Sequence, residues 1–402
     1  MIINKELLTN YLTLRYDPGQ KSKFHANWKN FIPKENDYDG EITESLLLDS
    51  IKSSIPDNKK PISISLSSGI DSSLCLALLR EVFPNRKIIA ICGVFDKKNS
   101  EAILAKKIAK KFDADFKILQ MNSIFTNMPE IIYISKKPRW NTYNHLISKE
   151  AKKYSNYIVT GDGADELFGG YVFRYRKFQQ LYSESDSWKS RVKKYLDCHN
   201  RDWVADQELI FGKSINFDWE KIYFYFKPFF KNSLNPLTQV MLADFNGKLI
   251  RDFIPTGQAI FNYYNLIGVP IFLNSNLISF SQSLPLEQKY DSKKNKGKLI
   301  LRKIANKYNI PHIDEKKGFS PSLIIDWKNH GEIICKRFLL NTKSEIFKRK
   351  LVDYNWILFA FEKVEQDGDI RYLNRLISIF GLEIWVRIFI TRDLDYTKPL
   401  LV

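Results

Sequence analysis

Short apolar runs alternate with amphipathic segments through the first part of the chain. Runs rich in Ile, Val and Leu predict strands at residues 62–66, Lys87–Val94, Phe116–Leu119 and Tyr157–Val159, with Lys87–Val94 expected to be buried. Apolar residues at helical spacing predict helices at Glu44–Ser54, from Leu74 onwards, at Glu101–Phe112 and at Asn144–Lys153. Because strands alternate with helices, the pattern predicts an α/β fold with a doubly wound parallel sheet. Ligands of such sheets bind at the carboxyl ends of the strands.

The remainder of the chain lacks this alternation. From Phe173 to the C-terminus the pattern is mostly helical and rich in Tyr, Phe and Trp. Ahead of the first strand, aromatic side chains lie between turn residues, which indicates a packed, extended segment. We therefore expect a linker-like segment over residues 1–45, an α/β domain over 46–185 and a mostly helical region over 186–402.

The composition indicates a globular protein, with 44% hydrophobic and 14% aromatic residues. The four cysteines are scattered without the spacing of metal ligands, which indicates buried thiols in a reducing compartment. No signal-peptide pattern follows Met1. The longest apolar segment, Leu376–Ile390, contains Glu383 and Arg387, so a buried helix explains it better than a membrane span. We expect a cytoplasmic protein with no membrane partner.

The formal net charge of +17 is compatible with an anionic partner such as a nucleotide, an acidic substrate or RNA. Much of this charge is spread lysine, so solvated surfaces are the preferred explanation. The segment Phe173–Leu181 places Arg174, Arg176 and Lys177 among aromatic residues, a pattern that can stack on nucleic acid. An amphipathic helix with extended basic side chains explains the same pattern more simply. Nucleic acid is therefore not the partner we expect.

A turn of small residues, Ser67–Ser73, separates the first strand from the helix that follows it. This geometry directs backbone N–H groups and the positive end of a helix at a phosphate. Gly69 can adopt dihedrals that a side chain would forbid, and the serines offer hydroxyl donors. No Lys-Ser/Thr pair follows, so the turn is not the usual P-loop. The alternative is an ordinary strand-to-helix turn.

A second glycine-bearing loop, Thr160–Tyr171, follows the fourth predicted strand. Asp162, Asp165 and Glu166 lie within five residues of each other and repel unless a cation lies among them. An acidic helix N-terminus would explain Asp165 and Glu166 but not the surrounding glycines. Both loops follow strands, so we expect them at one edge of the sheet.

Together these loops carry a specific resemblance. The first is similar to the pyrophosphate loop of the N-type ATP pyrophosphatases, Ser-Gly-Gly-x-Asp-Ser, with Ser68 at the second position. The second resembles Ser-Gly-Glu-Gly-Ala-Asp-Glu-Leu-Phe-Gly-Gly-Tyr of the asparagine synthetase family. Lys298–Arg302 resembles that family's Lys-x-x-Leu-Arg helix and Lys316–Pro321 its Lys-x-Gly-Phe loop. Upstream, Tyr11–Pro33 is similar to the family's linker, so the resemblance covers essentially the whole chain.

The resemblance implies an ATP-dependent amide synthetase that forms AMP and pyrophosphate. A substrate carboxylate would be activated as an acyl-adenylate and then attacked by ammonia or an amine. The residues that would hold pyrophosphate are Ser67, Ser68, Gly69, Asp71, Ser72 and Ser73, and those that would line the nucleotide pocket are Leu66, Val94 and Gly161. The other implied roles are Mg²⁺ binding for Asp71 and Asp165, neutralisation of phosphate charge for Lys298 and Lys316, and orientation or deprotonation of the amine for Asp162.

The sequence also departs from the family. It begins at the linker, without the glutaminase domain and its N-terminal cysteine, so we expect ammonia, an amine or a separate glutaminase to supply nitrogen. Asp162 replaces a Glu. The family also has charged residues at five positions where this chain has uncharged ones, namely Gln258, Ala259, Ile267, Val269 and Asn274. These changes indicate either a different acceptor pocket, with aspartate a poor substrate, or a repacked scaffold.

Two other functions remain open at this point. The same scaffold closes other amides, as in β-lactam synthetases and lasso-peptide cyclases. A tRNA-modifying ATP pyrophosphatase or a catalytically inactive RNA-binding relative is the other alternative. The Gly161–Tyr171 loop argues against the tRNA enzymes, and the presence of Asp71, Asp165, Lys298 and Lys316 argues against an inactive scaffold.

Overall fold

The computed structural model describes residues 3–95, 100–138, 144–199, 203–311 and 323–401. A five-stranded parallel sheet, in the order β3-β2-β1-β4-β5, lies at its centre. Its strands are β1 Ile62–Ser65, β2 Ile88–Val94, β3 Asp115–Gln120, β4 Tyr157–Thr160 and β5 Ile267–Pro270. A short antiparallel hairpin pairs β6 Tyr290–Asp291 with β7 Lys296–Gly297.

Helices surround the sheet and form most of the C-terminal half. The α-helices are α1 Lys5–Leu14, α2 Glu41–Ser54, α3 Ile70–Val82, α4 Ser100–Lys111, α5 Ile124–Ser135, α6 Asn144–Ala151, α7 Ala164–Phe168, α8 Val172–Leu181, α9 Trp188–Asp197, α10 Trp219–Phe230, α11 Pro236–Asp244, α12 Ile254–Tyr263, α13 Ser275–Gln282, α14 Leu299–Lys307, α15 Leu323–Asp326, α16 Glu332–Leu339, α17 Glu345–Lys348, α18 Tyr354–Asp367 and α19 Ile370–Val386. The π-helical segments are Phe245–Phe253, Trp327–Gly331 and Arg387–Thr391, and the 3₁₀ segments are Trp28–Phe31, Gln207–Ile210, Ile271–Leu273 and Leu286–Gln288.

Both faces of the sheet are buried over the strands β1, β2 and β4, whereas β3 at one edge is largely exposed. Alternate residues of β2 belong to different apolar clusters, with Ala90 and Cys92 in one and Ile89 and Ile91 in the other. Successive side chains of a strand point to opposite faces, so each cluster covers one face of the sheet. The prediction of a doubly wound α/β sheet followed by a largely helical region is confirmed.

The fifth strand was not predicted. β5 is only four residues long and pairs with β4, so that Ile267 lies opposite Tyr157 and Pro270 opposite Thr160. Ile267 is half exposed, and Pro270 cannot donate a ladder hydrogen bond, a feature tolerated at sheet edges. The run therefore lacks the apolar signal that identified the other strands.

The N-terminal segment is packed, as predicted, but residues Lys5–Leu14 form a helix, so the expectation of an extended chain is wrong there. Gln207 Nε2 donates to Leu12 O at 3.3 Å, and Arg375 Nη2 donates to Thr13 O at 3.4 Å. The last turn of α1 is thus held by side chains that are distant in sequence, and a local pattern does not contain that information.

Further expectations are met in the described part of the chain. All four cysteines are free and buried. The apolar segment Leu376–Ile390 lies in α19 and in the π-helical segment that follows it, and its part in α19 is largely buried. Glu383 accepts hydrogen bonds from the backbone N–H groups of Glu345 and Ile346. Within the described residues, no helix is both long enough and apolar enough to cross a bilayer.

Arg174, one of the basic residues considered for nucleic-acid binding, is buried. Its guanidinium pairs with Asp244, which also accepts a hydrogen bond from the Tyr195 hydroxyl at 2.7 Å. The same guanidinium lies 4.3 Å from the ring centroid of Tyr171. Arg174 therefore joins α8 to the end of α11 and is not part of an exposed basic surface.

Candidate active site

The Ser67–Ser73 turn connects β1 to α3 and is held by its own serines. Ser72 Oγ accepts the backbone N–H of Ser67 at 3.0 Å and donates to Ser67 O at 3.1 Å. Ser67 Oγ accepts the N–H of Gly69 at 3.1 Å, while Ser73 is fully buried with its hydroxyl 3.4 Å from Ser67 O. These bonds pre-form a turn at the N-terminus of α3, a position that favours anions.

The expectation for Gly69 is wrong in one respect. Its backbone is extended, with φ −74° and ψ 151°, a conformation that any residue can adopt. Leu66 and Val94 are buried at the ends of the neighbouring strands β1 and β2, and the N–H of Leu66 donates to Ile91 O at 2.9 Å. Ser68 is buried as well. All these residues flank the carboxyl end of the sheet.

Gly161 brings the second loop against the first. A Cβ on Gly161 would lie 3.0 Å from Asp71 Cβ and 3.3 Å from the backbone N of Ser72. The carboxyl end of β4 therefore contacts the first turn of α3 directly, as the glycine pattern predicts. Chain order reverses here, because β2 and β3 lie on one side of β1 and β4 lies on the other, and ligands of open sheets bind at such a position.

Lys298 joins the two loops through their carboxylates. Its Nζ lies 2.7 Å from both carboxylate oxygens of Asp71 and also contacts Oδ1 of Asp165. The side chain is 6% exposed. Burial lowers the pKa of Lys298, but Asp165 and Asp71 outweigh that effect, so its pKa is raised above the usual value and the amine stays charged.

Gly170 makes this arrangement possible. A Cβ at Gly170 would lie 1.9 Å from Asp165 Oδ1 and 2.4 Å from Lys298 Cε. The backbone N–H of Gly170 also donates to Asp165 O at 2.8 Å, which closes the loop behind the carboxylate. Any side chain here would push Asp165 and Lys298 apart.

Asp162 lies within the second loop, three residues before Asp165, and is partly buried. Burial raises its pKa, and the negative charges of Asp71 and Asp165 raise it further, while the hydrogen bond from Thr160 Oγ1 at 2.8 Å opposes the shift. A carboxylate with a raised pKa is a better proton acceptor than an ordinary aspartate. The position and basicity of Asp162 are therefore compatible with a general base.

Glu166 is a feature that the sequence did not distinguish from an ordinary helix N-terminal acid. It is 3% exposed, and the Tyr171 hydroxyl donates to Oε1 at 2.6 Å. Burial, followed by the charge of Asp165, raises the pKa of Glu166 to about 8. A carboxyl whose pKa is raised in this way carries less negative charge beside Asp165 than an ordinary glutamate does. The signal that could have identified it is the Tyr five residues later in the same loop.

The described site contains ligands compatible with Mg²⁺. Asp71 and Asp165 contact the same ammonium nitrogen, so their carboxylates already share one cation. Mg²⁺ is commonly bound through one or two carboxylates plus substrate phosphates, and this donor set fits that mode. Across the described ranges, no three His, Cys, Asp or Glu side chains converge as a protein-only metal site. Lys316 lies outside the described residues.

Most positions at which the chain departs from its resemblance have a structural explanation. Asn274 is the N-cap of α13, where its side chain accepts the N–H of Asn276 at 2.9 Å. Ile267 lies at the start of β5, the end of the sheet away from the site, and Val269 is buried opposite Val159. Gln258 is exposed on α12, one residue before Ala259, and its side chain bonds Asn262. These contacts favour the repacked-scaffold interpretation.

A second buried lysine, Lys289, packs against Gly169 of the Thr160–Tyr171 loop. It is 3% exposed, its Cβ lies against Gly169, and its Nζ is 5.9 Å from the Phe31 ring centroid. Among the described residues it forms no ion pair with a carboxylate. Burial lowers its pKa to about 7.

Replacing Lys289 by Met is expected to stabilise the protein below pH 7 by roughly 1–3 kcal/mol. The unfolded chain binds a proton at this lysine up to about pH 10, whereas the folded chain loses it near pH 7, so wild-type stability should rise between these values. Thermal melting from pH 6 to pH 10 should show this rise weakened in Lys289→Met. The exposed Lys293→Met serves as the control, and equal pH slopes in all three proteins would contradict the explanation.

Comparison with known proteins shows sequence similarity to one protein family. A family model described as asparagine synthase matches residues 43–254, more than half of the chain. Asparagine synthetase (glutamine-hydrolyzing) 1 of Bacillus subtilis is 29% identical over 156 residues, 38% of this chain and 24% of that protein. An uncharacterized protein of Methanocaldococcus jannaschii is 36% identical over 114 residues, 28% of this chain and 42% of its own length. The match spans about a quarter of the Bacillus protein and less than half of the Methanocaldococcus protein.

Among solved structures, the U34-tRNA thiolase of Methanococcus maripaludis with its 4Fe-4S cluster aligns at 16% identity. The alignment covers 69% of this chain and 82% of that one, with a TM-score of 0.25.

Proposed function

We propose that this chain, which belongs to the asparagine synthase family, is an AMP-forming ligase that activates a carboxylate with ATP and transfers the acyl group to ammonia or an amine. The observation that carries the proposal is the contact of Lys298 with both Asp71 and Asp165. This contact joins the Ser67–Ser73 turn to the Thr160–Tyr171 loop, at the position where open parallel sheets bind their ligands.

In the proposed first step, a substrate carboxylate oxygen attacks the α-phosphorus of ATP. The bond between the α-phosphorus and the bridging oxygen breaks, and pyrophosphate leaves with that oxygen. Ser67, Ser68 and the backbone N–H groups at the start of α3 would bind the leaving pyrophosphate, and Lys298 would neutralise its developing charge. The product is an acyl-adenylate, whose AMP group is a far better leaving group than the oxygen of a carboxylate.

In the second step, nitrogen attacks the acyl carbon and AMP leaves. The nitrogen loses a proton as the amide forms, and Asp162 is the proposed acceptor because its pKa is raised. Glu166, hydrogen-bonded to Tyr171, would keep the loop closed behind Asp165. The protein would contribute mainly positioning and charge stabilisation.

Asp71 and Asp165 would hold Mg²⁺ together with phosphate oxygens. The bound ion would supply positive charge that favours departure of pyrophosphate.

The identities of the carboxylate and of the nitrogen donor are part of the proposal. The altered positions Ile267 and Asn274 have structural roles, so aspartate remains a candidate acceptor along with other carboxylates. Ammonia, an amine or a separate glutaminase that delivers ammonia would supply the nitrogen.

The products of ATP cleavage test the proposal. Incubation with ATP, Mg²⁺, ammonium and a panel of carboxylates that includes aspartate should yield AMP and pyrophosphate in equal amounts when the correct acid is present. Chromatographic separation of the nucleotides checks this, with glutamine in place of ammonium as a second arm. Release of ADP and phosphate would exclude the proposed reaction.

A further inference from the structure

Lys298 lies in an unusual position for a lysine. It is the residue immediately before α14, and its backbone has φ 58° and ψ 38°, the left-handed region that few non-glycine residues adopt. Its backbone N–H donates to Phe168 O at 3.0 Å, and its C=O accepts the N–H of Arg302 at 2.9 Å. The backbone is thus fixed at both ends of the residue, and the side chain is directed between the two acidic residues.

The ammonium group satisfies the same oxygens that a metal ion would need. Nζ is within 2.7 Å of both oxygens of Asp71 and contacts Oδ1 of Asp165. A divalent ion bound there would have to break these buried contacts, and separating one partner from a buried ion pair is strongly unfavourable. The lysine and a free metal ion therefore compete for two carboxylates.

A nucleotide changes this competition, because its phosphate oxygens are alternative acceptors for the ammonium. Charge-assisted bonds to phosphate are as favourable for a lysine as bonds to carboxylate. When Nζ turns to a phosphate, Asp71 and Asp165 no longer share its positive charge, and the same phosphates supply further metal ligands.

We propose that Lys298 excludes free divalent cations from Asp71 and Asp165, so that the site accepts a metal only together with a nucleotide. The inference rests on the proposed function, since it takes a nucleotide triphosphate as the ligand. Its consequence is unexpected for a residue in the reaction centre: removing Lys298 should strengthen metal binding in the absence of nucleotide, although it abolishes the reaction.

Binding of Mn²⁺ without nucleotide tests this directly. The free ion is followed by its electron paramagnetic resonance signal during titration of the full chain at pH 8. Lys298→Met should bind Mn²⁺ at least about tenfold more tightly than wild type, because one positive charge beside two carboxylates is lost. Lys298→Arg, which keeps the charge, should show no such gain.

A matched control lies on α14, the helix that Lys298 precedes. Lys307 also pairs with a carboxylate, Glu44, at 2.7 Å, but at the far end of α14. Lys307→Met should bind Mn²⁺ as wild type does. Lys298→Gln provides a second neutral variant, and the rise in melting temperature with added Mn²⁺ gives an independent measure of affinity in each protein.

The results separate this proposal from the proposed function. If Lys298→Met and Lys298→Gln bind Mn²⁺ no more tightly than wild type and Lys298→Arg, the competition does not exist. Failure of wild type to bind α,β-methylene-ATP in the presence of Mn²⁺ would instead overturn the proposed function. Tighter Mn²⁺ binding in Lys298→Met and Lys298→Gln, but not in Lys298→Arg or Lys307→Met, supports the competition.

Discussion

Replacing Asp71 by Asn should slow ATP–pyrophosphate exchange by about 10²-fold or more, because the change removes one charge from the centre of the site. Asp71 is buried in the first turn of α3 and accepts both short contacts from Lys298. Asn keeps the shape of the side chain but offers only one acceptor oxygen and no negative charge. We expect the loss in the exchange rate at saturating ATP, with a smaller change in the thermal stability.

The control for this experiment is Asp49→Asn on the exposed face of α2. It makes the same chemical change away from the two loops and should leave exchange unaltered. Exchange in Asp71→Asn within about threefold of wild type would mean that Asp71 has no role in the chemistry, and the assignment of both loops would fail with it.

Arg174→Met is expected to destabilise the fold by about 3–5 kcal/mol, since it leaves Asp244 fully buried without its cation. Tyr195 would still donate to the carboxylate, but a neutral hydroxyl does not replace a guanidinium. Because Arg174 also stacks on Tyr171, the acidic loop should loosen as well. Urea unfolding followed by circular dichroism measures the change in the free energy of unfolding.

The double variant Arg174→Met/Asp244→Asn separates charge from packing. The introduced amide is neutral and keeps an acceptor for Tyr195, so the double variant should recover most of the lost stability. If the single variant costs less than about 1 kcal/mol, or if the second change adds to the loss, the buried ion pair is not what stabilises this part of the fold.

The strands that could be predicted from the sequence are those whose own residues carry the signal. In β2 every residue of Ile88–Val94 is buried, and the apolar run identifies it without knowledge of its neighbours. β1 and β4 are shorter, but each is followed by a glycine-bearing loop that marks its end. These local features are sufficient to locate the carboxyl edge of the sheet.

The elements that could not be predicted from the sequence depend on partners that are distant along the chain. β5 is a strand because Tyr157–Thr160 pairs with it, and Ile267 and Pro270 alone do not indicate a strand. The helix Lys5–Leu14 is fixed partly by Arg375, which follows Leu12 by 363 positions. Sequence periodicity reports local preference, and these segments are determined by tertiary contacts that override it.

The same distinction applies to the candidate site. The two loops are continuous motifs, whereas the contact between Lys298 and Asp71 spans 227 positions. A resemblance named Lys298, but only the fold shows that it touches both carboxylates and that Gly170 provides the space. Lys289 gave no sequence signal, because a single lysine near apolar residues is common on surfaces and its burial follows from packing against Gly169 and Phe31.

The central claim is that the carboxylate itself attacks the α-phosphorus, and oxygen transfer tests it most directly. The acid that supports ATP cleavage is prepared with ¹⁸O in its carboxylate and incubated with ATP, Mg²⁺ and ammonium or the amine. Mass spectrometry of the nucleotide then shows where the label goes. We predict AMP that carries one ¹⁸O atom and unlabelled pyrophosphate. Unlabelled AMP, or label in inorganic phosphate beside ADP, would contradict the acyl-adenylate and with it the proposed function.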